Sequence, residues 1–201
     1  MYVMSRVSTV VRGAVAGAFA FIIGLLIAFI IGGVAATRLA GVGPFGGTIP
    51  EWKATIWVYF DAHFVGTRTA ELFGPDGRLW SGGELVLTVS LLEIEYLFVV
   101  PVVVLVLVGA LLASRLECTE GRDGMMIGMS LVFGYFPLVV IGLLVSMHFG
   151  TGPSPLRAVV IAGVVYPVFL GAIGGFLAGH FGTPSQIHDS NTNSEHEPVI
   201  R

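Results

Sequence analysis

Four stretches of this chain are too long and too apolar for the interior of a small water-soluble domain. Gly13–Val34, Leu97–Ala113, Met125–Met147 and Ala158–Ala178 contain no Asp, Glu, Lys, Arg or His. A helix rising 1.5 Å per residue needs roughly 20 apolar residues to cross about 30 Å of hydrocarbon. Three of the runs meet that length, and Leu97–Ala113 stands at its short limit. The apolar sequence before it begins at Leu85, but Glu93 and Glu95 interrupt it. A carboxylate at the bilayer centre costs about 2.5–3.5 kcal/mol on insertion scales. Both glutamates are therefore expected at the interface, with Leu85–Leu92 a strand or a surface helical turn. The first run has a rival reading as a signal peptide, since Arg6 and Arg12 precede it and Val34-Ala35-Ala36 follows. Signal cores run roughly 7–15 residues, shorter than this one.

Composition agrees with a membrane chain. Hydrophobic residues make up 55% and charged residues 11% of the 201 positions, against about 25% charged in soluble domains. The mean hydropathy is +0.89. A soluble enzyme, a soluble binding domain and a disordered chain are excluded on these grounds. Nucleic acid is excluded as a partner by a formal net charge of −3 without a Lys/Arg cluster.

The fold expected is an all-α membrane protein, a four-transmembrane-helix bundle with an extracytoplasmic loop subdomain. Its segments are a cytoplasmic N-terminus (1–12), spans at 13–34, 97–113, 125–147 and 158–178, an aromatic-rich outer loop (35–96), a cytoplasmic loop (114–124), a short outer loop (148–157) and a disordered polar tail (179–201). Arg12, Arg115 and Arg122 lie close to span ends, whereas Arg68 and Arg78 lie deep in the long loop. That weighting puts both termini in the cytoplasm and the protein in the cell membrane. The turn formers from Gly150 to Pro155 join the last two spans as a hairpin.

The long loop holds all three tryptophans, Trp52, Trp57 and Trp80. From Trp52 the bulky residues recur at Ile56, Tyr59/Phe60 and His63/Phe64, which is helical spacing. Trp52, Trp57, Tyr59, Phe60, Phe64 and Trp80 are thus expected as interfacial aromatics, most of them on an amphipathic helix at headgroup level. Pro75-Asp76-Gly77 between Leu72-Phe73 and Leu79-Trp80 predicts a small β-hairpin. Arg12-Gly13-Ala14-Val15-Ala16-Gly17-Ala18, Trp52-Lys53 with Trp57-Val58-Tyr59-Phe60-Asp61-Ala62-His63-Phe64-Val65, and Tyr96-Leu97-Phe98-Val99-Val100-Pro101 resemble a family of short multi-span membrane proteins from halophilic archaea. The resemblance covers most of the chain. It implies the multi-span fold, carries a loose transporter label, and transfers no catalytic or binding residue.

Small residues four apart let helix backbones approach closely. Gly13 and Gly17, Gly124 and Gly128, and Gly171, Gly175 and Gly179 form such stripes. They suit a homo-oligomer interface or packing within one bundle. Pro101, Pro137 and Pro167 each lack an amide hydrogen and oppose the carbonyls of Leu97, Phe133 and Gly163, so each is expected to kink its span. Freed carbonyls at such sites can bind an ion or solute, or be satisfied by neighbouring hydroxyls such as Tyr135 and Tyr166. The spans' lack of titratable groups counts against a coupled pump. Cys118, the single cysteine, is expected to be an inert loop thiol held protonated by Glu117 and Glu120. No HExxH, P-loop or nucleophile–base pair is present, so no catalytic residue, cofactor or metal is assigned and the chain is read as not an enzyme. Asp61 and His63, two apart, share a face only on a strand. The function expected is that of a non-enzymatic membrane component whose outer loop contacts lipid or a membrane partner. The alternative is a subunit of an oligomeric small-solute transporter or channel.

Overall fold

A computed structural model describes residues 2–41, 49–68, 72–73, 79–80, 95–118, 120–148 and 150–182. In chain order its elements begin with α1 (Tyr2–Gly41), α2 (Glu51–Asp61), β1 (Thr67–Arg68), β2 (Leu72–Phe73) and β3 (Leu79–Trp80). A 3-10 turn (Glu95–Phe98) runs into α3 (Val99–Arg115), followed by α4 (Gly121–Met129) and α5 (Val132–Ser146). The chain continues through β4 (Gly152–Pro153), α6 (Pro155–Arg157), a π-helical segment (Ala158–Val165) and α7 (Tyr166–Phe181).

Four helical stretches are long and apolar enough to cross a membrane: Val7–Gly33, Glu95–Arg115, Gly121–Ser146 and Pro155–Phe181. They are the first to fourth spans below. Phe19, Ile30, Leu107, Phe133, Leu144 and Phe169 are exposed on their outer faces. The core joins Ala20, Phe21 and Ala28 of the first span to Leu97, Leu105, Leu131, Tyr135, Val139, Ala158 and Ala162 of the other three. The third span is interrupted at Ser130–Leu131. There Ser130 and Leu131 amides reach back three residues, to Ile127 and Gly128. The Ser130 hydroxyl donates to the Ile127 carbonyl as well, and such back-bonding competes with the regular ladder.

Helix packing follows the glycines. A Cβ on Gly128 would land on the Gly171 carbonyl, one on Gly124 on that of Gly175, and one on Gly179 on that of Glu120. Gly171 also meets Gly109 of the second span, and Gly174 faces the Val106 carbonyl. The fourth span is thereby wedged between the second and third at backbone contact. Gly13 and Gly17 take Ser130 and Leu131, while Gly134 takes the Ala14 carbonyl. All seven stripe glycines face other parts of the same chain, which is the within-bundle packing of the two alternatives.

Two of the three prolines stand where the helix type changes. Pro101 lies in the first turn of α3, where the preceding four residues are 3-10 helix. Its missing amide costs nothing in a first turn. Pro167 is the second residue of α7 and follows the π segment, in which the Tyr166 amide donates to the Ile161 carbonyl five residues back. The shift to π bonding changes the ladder at the position where Pro167 cannot continue it. Pro101 and Pro167 thus stand in the first turn of an α-helix, and Pro137 alone of the three lies inside one.

Two short antiparallel ladders complete the fold. Leu72 pairs with Trp80 and Phe73 with Leu79; the Pro75-Asp76-Gly77 turn between them lies outside the described residues, as do Leu85–Leu92 and residues 183–201. The other ladder pairs Thr67 with Pro153 and Arg68 with Gly152, and the Ser154 amide donates to the Gly66 carbonyl. It ties the chain after α2 to the connection between the third and fourth spans.

Gly128→Val forces a side chain into the Gly171 backbone, which cannot move aside as a flexible side chain can. Its expected cost is about 3 kcal/mol or more. Gly33→Ala meets nothing within 4 Å and is expected to be neutral or to stabilise by up to about 1 kcal/mol through helix propensity. Thermal unfolding in detergent micelles measures both.

Candidate functional site

The helix α2 starts after Pro50, whose φ of −55° and ψ of 133° are extended. The Pro50 carbonyl accepts from the Lys53 and Ala54 amides. Thr55 returns its hydroxyl to the Glu51 carbonyl at 3.0 Å. Trp57, Val58, Tyr59, Phe60 and Asp61 are all buried. A helix buried on every side of its last turn packs inside protein rather than floating on a surface. This corrects the interfacial placement of Trp57, Tyr59 and Phe60, while Trp52 and Phe64 are half exposed. The Trp80 side chain lies outside the described residues.

The helix sits against the first and third spans, below their ends. The Tyr59 ring covers Gly24, about 13 Å of helix rise from Gly33. Phe60 lies against Gly142. At the end of the third span the last carbonyls have no partner within their own helix. The Trp57 indole N–H donates to the Ser146 carbonyl at 2.9 Å. The Lys53 ammonium donates to the Met147 carbonyl at 2.7 Å, where the helix dipole favours a cation. Thus α2 caps the third span from the side.

Beyond Asp61 the chain turns sharply. His63 bonds back to Phe60, and Phe64 to Asp61. Phe64 and Gly66 take positive φ angles of 57° and 70°. Phe64 is a non-glycine residue in a costly conformation, held by stacking on Phe98 with centroids 4.3 Å apart. This turn carries His63, 1% exposed, into the centre of the bundle.

There a closed ring of hydrogen bonds forms. His63 Nδ1 lies 2.8 Å from the Tyr59 carbonyl. A carbonyl only accepts, so Nδ1 carries the proton and Nε2 is an acceptor. The Tyr135 hydroxyl, 2.7 Å from Nε2, donates to it. The Tyr59 hydroxyl, 2.8 Å from that of Tyr135, donates in turn. The ring therefore runs from the Tyr59 hydroxyl through Tyr135 and His63 back to the Tyr59 main chain. Phe21 meets both tyrosine rings edge-on at 5.3 Å, and Tyr166 lies 4.9 Å from the imidazole. Tyr135 is about 16 Å of helix rise from Ser146.

Burial pushes the His63 pKa down to about 4, opposed by the bond to the Tyr59 carbonyl. The imidazole is neutral at physiological pH, as the ring's direction requires. Burial raises the Tyr59 phenol above its ordinary range. Asp61 is fully buried beside the ring, with the Thr67 hydroxyl 3.4 Å from its Oδ1. Among the described residues no buried side-chain nitrogen or oxygen lacks a partner, and no three His, Cys, Asp or Glu side chains converge to hold a metal. Cys118 lies in the connection between second and third spans; burial, then the Asp123 carboxylate, raises its pKa. The direction is the one expected, but Asp123 replaces Glu117 and Glu120 as the acid responsible.

In the sequence Tyr135 stands two residues before Pro137, and His63 lies outside the four apolar runs. The available signal was α2 itself: Val58 and Phe60 make its last turn apolar on faces that a surface helix turns to water.

The chain belongs to DUF7978, a family of unknown function, whose model matches residues 3–181. No curated protein and no solved structure matches it.

Tyr135→Phe removes the link on which both neighbours depend, leaving the Tyr59 hydroxyl and His63 Nε2 unpaired. It is expected to cost about 1–3 kcal/mol in thermal unfolding, whereas Tyr166→Phe keeps its ring and is expected to change stability by less than about 0.5 kcal/mol. A folded-state pKa below the ordinary 6.5 means that the unfolded chain binds the extra proton. The His63 contribution is complete above pH 6.5 and is lost as pH falls toward 4. The melting temperature of the native chain should drop more steeply across that window than that of His63→Gln.

Proposed function

We propose, for this member of DUF7978, a multi-pass integral protein of the cell membrane that acts as a non-enzymatic membrane component. Its four apolar helices support four crossings, with the bilayer as solvent for the outward faces of Phe19, Ile30, Leu107 and Leu144. An even number of crossings puts both termini on one side. Arg12, Arg115 and Arg122 near the ends on that side support a cytoplasmic assignment. In this reading α2, β1 and the connection between third and fourth spans face outward. The half-exposed Trp52, Phe64 and Tyr96 then meet headgroups or a membrane partner, and the likeness to haloarchaeal multi-span proteins belongs to the same reading.

The observation that carries the non-enzymatic role is the closure of the His63 ring. Each ring nitrogen and each of the two phenolic hydroxyls is bonded to another part of the protein. A general base needs a free site facing substrate, and here both imidazole nitrogens are engaged. The ring instead holds α2 in the bundle.

The alternative, a subunit of an oligomeric small-solute transporter or channel, draws on one observation. The π segment Ala158–Val165 ends beside Tyr166, whose ring lies against His63. π turns recur at functional sites. An oligomer would have to form through lipid-facing side chains, since the glycine stripes are already used.

Proteoliposomes of the purified chain are expected to pass protons, alkali ions and small neutral solutes no faster than empty vesicles. Protein-dependent flux would overturn the first reading in favour of the second. Cys118 tests orientation without any engineered residue. A membrane-impermeant maleimide is expected to leave it unmodified in intact cells and to label it after permeabilisation, faster as pH rises. Labelling of intact cells would reverse the orientation.

A further inference from the structure

A groove of about 560 Å³ runs between the first and second spans. This is within the roughly 300–1,000 Å³ of ligand clefts. Val15, Phe19 and Ile23 form one wall and Val108 and Leu111 the other, and its mouth is flanked by Arg12 and Arg115. Both arginines are exposed. Neither makes an ion pair or a side-chain hydrogen bond among the described residues, although Glu117, Glu120 and Asp123 are exposed at the same end of the bundle. Two exposed guanidiniums with no acidic partner among the described residues thus sit at one end of a groove whose walls are otherwise apolar.

We propose that this groove is a binding site for one anionic phospholipid, with Arg12 and Arg115 holding the phosphate and an acyl chain lying along Val15, Phe19 and Ile23. The proposal rests on the membrane reading above. Length and charge both select this occupant. From Arg12 to Ile23 the groove runs about 16 Å along the helix, close to half of the roughly 30 Å hydrocarbon thickness. That is the depth of one leaflet, so the groove follows a single acyl chain from headgroup to midplane. Guanidinium forks match phosphate oxygens bidentately. A basic pair between spans on the cytoplasmic side is where acidic headgroups are held. A zwitterionic headgroup would bring a third cation to the same mouth, beside two arginines that have no acidic partner among the described residues.

The test is native mass spectrometry of the full chain released from detergent micelles. The probes are phosphatidylglycerol and phosphatidylcholine with identical acyl chains. One phosphatidylglycerol per chain is expected to be retained, with an apparent affinity at least about 10-fold above that for phosphatidylcholine. Arg12→Gln with Arg115→Gln is expected to abolish that preference at an unchanged melting temperature; each single change should weaken it in part. Equal retention of the two lipids by the native chain, which needs no variant, would overturn the proposal, as would a preference that survives the double substitution. Displacement of the lipid by millimolar inorganic phosphate would overturn the lipid assignment in favour of a free-phosphate site. A chain that stays monodisperse without detergent would instead remove the membrane reading, so the two failures are distinguishable.

Discussion

A hydrogen-bonding group in the interior of four apolar helices has no water to fall back on, and this requirement organises the half of the structure around α2. The third span ends in carbonyls that need donors, and α2 brings Trp57 and Lys53 to them. The same helix carries two further polar groups inward, the Tyr59 hydroxyl and the His63 imidazole. They meet Tyr135 in a ring whose direction is fixed by the one member, a backbone carbonyl, that can only accept. Leaving a buried partner unpaired costs more than making the bond returns. Once α2 is inserted, its polar groups therefore resist withdrawal.

The other half of the structure depends on the absence of side chains. Gly124, Gly128, Gly171 and Gly175 bring the third and fourth spans to backbone contact, and Gly109 and Gly174 do the same for the second and fourth. In lipid, helices gain nothing from burying apolar surface away from water, so close dispersion contact must hold them. The first span joins through Gly13, Gly17 and Gly134. Its upper half packs on α2 instead, where Gly24 makes room for the Tyr59 ring.

The spans were legible because length and absence of charge are properties of contiguous sequence. The glycine stripes were legible as packing surfaces, but spacing says nothing about whether the opposing backbone belongs to the same chain. The placement of α2 was legible only in the apolar faces of its last turn. The rest of its apolar spacing fits a helix on a membrane as well as one between helices. The deciding contacts reach from Trp57 to Ser146 and from His63 to Tyr135, far apart in sequence. Pro101 and Pro167 were legible as breaks in the hydrogen-bond ladder, but not the change of helix type beside them. A proline forbids one bond, and beside both of these the helix type changes, which depends on how neighbouring helices pack.

The architecture therefore depends on α2 being an integral part of the bundle rather than a surface attachment. Amide hydrogen exchange of the chain in lipid nanodiscs, read by mass spectrometry over a peptide spanning 54–63, tests this directly. Protection comparable to that of the third span is the result the ring and the side-chain caps require. Exchange of that peptide within seconds, while the spans stay protected, would contradict it.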